Sequence, residues 1–132
     1  MFECLIMGDS IALGTKMYRP ECVSIAKSGV NSKSWVNAHI TKTPFVAKTV
    51  IISLGSNDYK SINTEEELRT IRLMTKADRV YWILPAIKPD IQMVVKKVAL
   101  EYNDMVIPIT NLSADGVHPT GQGYKEIAEK TK

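Results

Sequence analysis

Four short stretches carry side chains that could do chemistry together. Gly8-Asp9-Ser10 ends an apolar run, Gly29 lies in KSGVN, Asn57 in LGSND, and His118 in DGVHP. Ser10 offers a hydroxyl nucleophile, and a nucleophile of that kind needs a base. Only His39 and His118 are available. His39 falls in a helical pattern beside apolar residues and reads as a packed or surface histidine. His118 has Asp115 three residues before it. That carboxylate can turn back and accept the imidazole Nδ1–H, which fixes the tautomer and leaves Nε2 facing the serine.

A tetrahedral intermediate also needs donors for its oxyanion. Ser10 opens a helix, so its own N–H points outward with the positive end of the dipole behind it. Gly29 offers a backbone N–H with no side chain in the way, and Asn57 offers a side-chain amide. Each stretch has a plainer reading. Serine caps helices, Gly-Ser-Asn-Asp makes turns, and DGVHP would serve as a solvated loop. Rival motifs fail on spacing. Five residues separate Gly8 from Gly14, and Thr15 precedes Lys16, so the phosphate-loop pattern is broken. No dinucleotide glycine fingerprint is present, and Ala12 stands where the serine-hydrolase elbow needs glycine. The cysteines and histidines have no metal-ligand spacing, so no metal is expected.

The elements that must position these groups follow from periodicity. Apolar runs at 2–7, 22–26, 49–54, 80–84 and 105–109 read as strands, the last interrupted by Pro108. Helical patterns separate them. Trp35, Val36, His39 and Ile40 give a short face. Thr64 with Glu67 reads as a capping box before a third helix. Asp90 is placed to cap a fourth, whose Ile91, Val94, Val95, Val98, Ala99 and Tyr102 make one apolar stripe. Tyr124, Ile127 and Ala128 mark the last. Strand alternating with helix predicts a parallel sheet covered on both faces, with any site at the carboxyl ends of its strands. Ser10, Gly29, Asn57 and His118 each follow a predicted strand end, so residues remote in sequence should meet at one rim.

These four blocks, in this order across nearly the whole chain, resemble those of the SGNH hydrolase superfamily, the GDSL-type esterases and lipases. The matching residues are GDS with Ser10, the Gly29 of SGV, G-x-N-D from Gly55 to Asp58, and D-x-x-H from Asp115 to His118. The resemblance implies a flavodoxin-like three-layer α/β/α sandwich with a five-stranded parallel sheet. It implies Ser10 as nucleophile, His118 as base, Asp115 as orienting acid, and Ser10, Gly29 and Asn57 as oxyanion donors. It also implies ester or thioester hydrolysis through an acyl-enzyme, with neither metal nor organic cofactor.

The chain is short for that family. The segments 56–63 and 85–89 leave little material for a lid, which suggests a shallow, open site. That favours a small acyl group such as acetyl on a glycan or other exposed carrier. A thioesterase or lysophospholipase, or a non-catalytic binding module on the same fold, remains the alternative. A second copy or another protein completing the site is left open. Asp58 and Tyr59 read as turn and packing residues, and Lys60 and Lys88 as solvated lysines near the rim.

Size and composition set the remaining bounds. One domain, 1–132, accounts for the 132 residues. A net charge of +3 with no dense basic block argues against a nucleic-acid partner. No apolar run approaches the roughly 20 residues of a membrane span. Glu3 stands where a leader would be basic, so the default expectation is cytoplasmic, with a viral source left open. Cys4 and Cys22, both in apolar stretches, are expected to be buried free thiols.

Overall fold

The structure, a computed structural model, describes residues 2–132. Five strands alternate with five helices. They are β1 (Phe2–Gly8), α1 (Ser10–Tyr18), β2 (Val23–Ala26), α2 (Ser32–His39), β3 (Phe45–Ser53), α3 (Thr64–Leu73), β4 (Thr75–Ile83), α4 (Pro89–Glu101), β5 (Met105–Ile107) and α5 (Gly121–Lys130). All strand pairs are parallel, in the order β2-β1-β3-β4-β5. That order is the flavodoxin-like one, with the chain reversing direction between β1 and β3.

Alternation along the central strands builds two cores. Leu5, Met7, Val50, Ile52, Val80 and Trp82 face one side and pack with Trp35, Leu68, Ile71, Val95 and Val98 from α2, α3 and α4. Cys4, Ile6, Ile51, Tyr81 and Ile83 face the other and pack with Ile11, Ala12 and Ile127 from α1 and α5. A strand buried on both faces reads as a continuous apolar run, as Thr49 to Leu54 does. β3 and β4 extend further back than those runs, because Lys48, Lys76 and Asp78 sit at the exposed lower ends of the strands.

Two expected caps move by a residue or more. Asn63, not Thr64, caps α3, its side chain accepting from the Glu66 N–H. The Thr64 hydroxyl is committed elsewhere, donating to Asp58 at 2.7 Å. Lys88 is the N-cap of α4, since Pro89 takes the first helical position and leaves Asp90 inside the first turn.

The cysteines correct another expectation. Cys4 and Cys22 form a disulfide, both sulfurs buried on the α1/α5 side. Leu5 pairs with Val23 across β1 and β2, so the residues just before them lie opposite one another, with Cα atoms 4.5 Å apart. None of the described helices is long and apolar enough to cross a membrane.

Candidate active site

The turn from β1 into α1 sets the position of Ser10. Gly8 has φ +144°, and a Cβ there would lie 1.9 Å from the Ser53 carbonyl oxygen, so β1 and the end of β3 can approach only at a glycine. Asp9 then does the capping that serine residues often do. Its Oδ1 accepts from the Ile11 N–H at 3.0 Å and from the Ser53 hydroxyl at 3.0 Å. Its own N–H donates to the Ser53 carbonyl. Ser10 is thereby freed from capping and occupies the first position of α1.

Ser10 Oγ lies 2.8 Å from His118 Nε2, across 108 residues of sequence. His118 Nδ1 lies 2.7 Å from Asp115 Oδ2. The other carboxylate oxygen accepts from the backbone N–H groups of His118 and Val117 and from the Ser113 hydroxyl. Those donors hold the Asp115 carboxyl well below the usual carboxylate range, the His118 N–H first among them. An ionised Asp115 only accepts, so the Nδ1 proton belongs to His118 and Nε2 is left to accept from Ser10.

The three expected oxyanion donors come from separate loops. Among the described residues, neither the Ser10 N–H nor the Gly29 N–H donates to a protein acceptor. Gly29 has φ +77°, which favours glycine, and the space where its Cβ would stand is empty. The Asn57 side-chain amide donates to the Val30 carbonyl at 3.1 Å, which ties it to the Gly29 loop and leaves its second N–H available.

Asp58 and Lys88, assigned by sequence to turn and solvent, hold this region together. Asp58 is buried. It accepts from the Ser32 N–H and hydroxyl at the start of α2 and from Thr64 at the start of α3. Lys88 is half-buried, and its ammonium donates to two backbone carbonyls. Tyr59 does not pack but is 60% exposed, while Lys60 is solvated as expected. His39 is a surface residue against Trp35, with ring centroids 4.8 Å apart, away from any nucleophile. No sequence signal marked the contacts of Asp58 with Ser32 or of Lys88 with Ser56 and Asp58, which join loops 26–32 residues apart.

Beyond Asp58 a cavity of about 950 Å³ opens between the starts of α3 and α4. Ile62, Ile91 and Val94 line it, with Tyr59, Lys60 and Asp90 also at its wall. None of Ser10, Gly29, Asn57, Asp115 or His118 lines it.

No family model matches the chain, and no curated protein matches it. Solved structures do. A GDSL-like lipase from Bacteroides thetaiotaomicron is 18% identical, over 98% of this chain and 88% of that one, with a TM-score of 0.64. The C-terminal catalytic domain of peptidoglycan O-acetyltransferase A from Streptococcus pneumoniae is 17% identical, over 96% and 88%, with a TM-score of 0.58. Phospholipase A1 from Streptomyces albidoflavus is 12% identical, over 98% of each chain, with a TM-score of 0.62. The chain has the SGNH/GDSL hydrolase fold.

Proposed function

We propose that this chain is a serine-dependent hydrolase of carboxylic esters, acting on a small acyl group such as acetyl carried by a glycan or another exposed alcohol. One observation carries the reading. The hydroxyl–imidazole–carboxylate relay from Ser10 through His118 to Asp115 runs at 2.8 and 2.7 Å, beside backbone N–H groups with no protein acceptor.

His118 Nε2 takes the Ser10 proton as Oγ attacks the ester carbonyl. The negative charge forms on the carbonyl oxygen, to which we assign the Ser10 and Gly29 N–H groups and the second Asn57 N–H as donors. The imidazolium, held by Asp115, then protonates the departing alcohol and leaves an acyl-serine. Water gives a proton to Nε2 as its oxygen bonds to the acyl carbon, and the Oγ–acyl bond then breaks, the imidazolium returning that proton to Ser10 Oγ as the acid leaves. The short segments after β3 and β4 leave the site open, which suits a bulky carrier. One protein of similar fold is named for acetyl transfer to peptidoglycan, and that carrier fits such an opening.

A second reading, a thioesterase or lysophospholipase, is favoured by the apolar Ile62, Ile91 and Val94 wall of the neighbouring cavity. A panel of acetyl, butyryl, octanoyl and decanoyl p-nitrophenyl esters, run on wild type and Ser10→Ala, separates the two. The proposal expects acetyl to give the highest kcat/KM and Ser10→Ala to lose at least about 10³-fold. Preference for the longest chains would transfer the assignment to the second reading. Equal turnover by Ser10→Ala would remove both.

A further inference from the structure

Lys88 is where sequence expectation and structure diverge most. Its ammonium donates to the Ser56 carbonyl at 2.8 Å and to the Asp58 carbonyl at 2.7 Å. Those two carbonyls stand immediately before and after Asn57. Its backbone is equally unusual. With φ 63° and ψ 84°, Lys88 is one of two non-glycine residues at positive φ among those described, the other being Asn103. A left-handed conformation is costly for a residue with a long side chain. The helix does not explain it, because Lys88 caps α4 without any side-chain hydrogen bond to it. Glycine or asparagine would meet the same backbone requirement with less strain.

We propose that Lys88 is a positioning residue for ester hydrolysis, its ammonium bridging the carbonyls on either side of Asn57 and holding that amide toward the reacting carbonyl. The proposal rests on the reading of Asn57 as an oxyanion donor.

The rest of the loop shows what Lys88 adds. Asp58 anchors the segment to the starts of α2 and α3. A Cβ on Gly55 would meet Ile91 at 2.6 Å, so the segment also lies directly under the start of α4. Gln92 fixes the other side, donating to the Pro85 carbonyl at 2.8 Å. Among the described residues, Lys88 is the one side chain from the start of α4 that hydrogen-bonds the backbone around Asn57. Asn57 is otherwise held through a single bond to Val30. Without the ammonium, the carbonyls of Ser56 and Asp58 lose a shared donor, and the 56–57 peptide that enters Asn57 and the 58–59 peptide one residue beyond it are freer to rotate. A cation two peptide groups from an oxyanion donor also adds favourable potential where negative charge develops.

The test compares Lys88→Met, Lys88→Arg and Lys88→Gly by short-chain ester kinetics and by amide hydrogen exchange over residues 55–60. Lys88→Met should lower kcat by about 10- to 100-fold with KM within about twofold, the pattern of a lost transition-state interaction. It should also speed exchange at the Asp58 amide, which bonds the Gly55 carbonyl. Lys88→Arg should recover part of kcat. Lys88→Gly relieves the backbone strain, so it serves should Lys88→Met fold poorly, and it should show the same loss. In an Asn57→Ala background, Lys88→Met should add less than about twofold, because its route to the reaction is gone.

Unchanged kcat and exchange in Lys88→Met would overturn the proposal. So would a full Lys88→Met penalty in the Asn57→Ala background. Full activity in Asn57→Ala alone would instead remove the oxyanion reading and the catalytic half of this proposal. Exchange over 55–60 would then decide by itself whether Lys88 holds the loop.

Discussion

The contacts of Ser10 with His118 and of His118 with Asp115 were legible in the sequence, because with two histidines in the chain and one of them in a helical stripe, His118 was the histidine left to pair with Ser10. Asp9 and Lys88 were not legible. Asp9 sits beside Ser10, but its partner Ser53 lies 44 residues away, and its burial under α1 shows only in the fold. That burial has a measurable consequence. With Oδ2 left without a hydrogen-bond partner among the described residues, desolvation pushes the Asp9 carboxyl up to about 6, against 3.8 when exposed. The folded chain keeps a proton that the unfolded chain has already released. The resulting stabilisation is complete below about pH 4 and is lost as pH rises through about 6, by roughly 3 kcal/mol in all. Asp9→Asn keeps an oxygen acceptor for Ile11 and Ser53 and does not ionise. Its stability relative to wild type should therefore rise by roughly 2 kcal/mol between pH 4.5 and 7.5, the part of the effect that remains above the unfolded-state pKa. Urea unfolding at the two pH values measures this, and a constant difference between the proteins would refute the shift.

Helices and strands were placed correctly wherever an apolar period was long, as in α4 and β3. Their ends were not. Thr64 had the spacing of a capping box, yet Asp58 recruits its hydroxyl and Asn63 takes the cap. The cysteine pair failed for a related reason. Two cysteines in apolar stretches announce burial, but whether they meet depends on which strands are neighbours and in what register. Here β1 and β2 are adjacent, and the disulfide closes an 18-residue separation that encloses Ser10 and all of α1. A cross-link over a loop of that size is worth about 3 kcal/mol in the chain-entropy account. Native protein should show no titratable thiol, and reduction should reveal both cysteines and lower Tm by several degrees. Two thiols reacting in unreduced, folded protein would contradict the bond.

At the scale of the whole molecule, the sheet order turns scattered residues into a site. β1, β2 and β3 are adjacent, so the loops that follow them carry Ser10, Gly29 and Asn57 to one rim. The chain after β5 returns across that rim to bring His118 over Ser10. Alternating strands and helices were enough to predict this convergence. The supports beneath it, Asp58 and Lys88 among them, depend on packing between loops that no local pattern encodes. The account's central claim is that Ser10 is an activated nucleophile. Treatment of the folded protein with a fluorophosphonate, followed by peptide mass spectrometry, tests it most directly. The adduct should form on Ser10 and disappear in Ser10→Ala. Folded wild-type protein that stays unlabelled, or is labelled at another residue, would contradict the account.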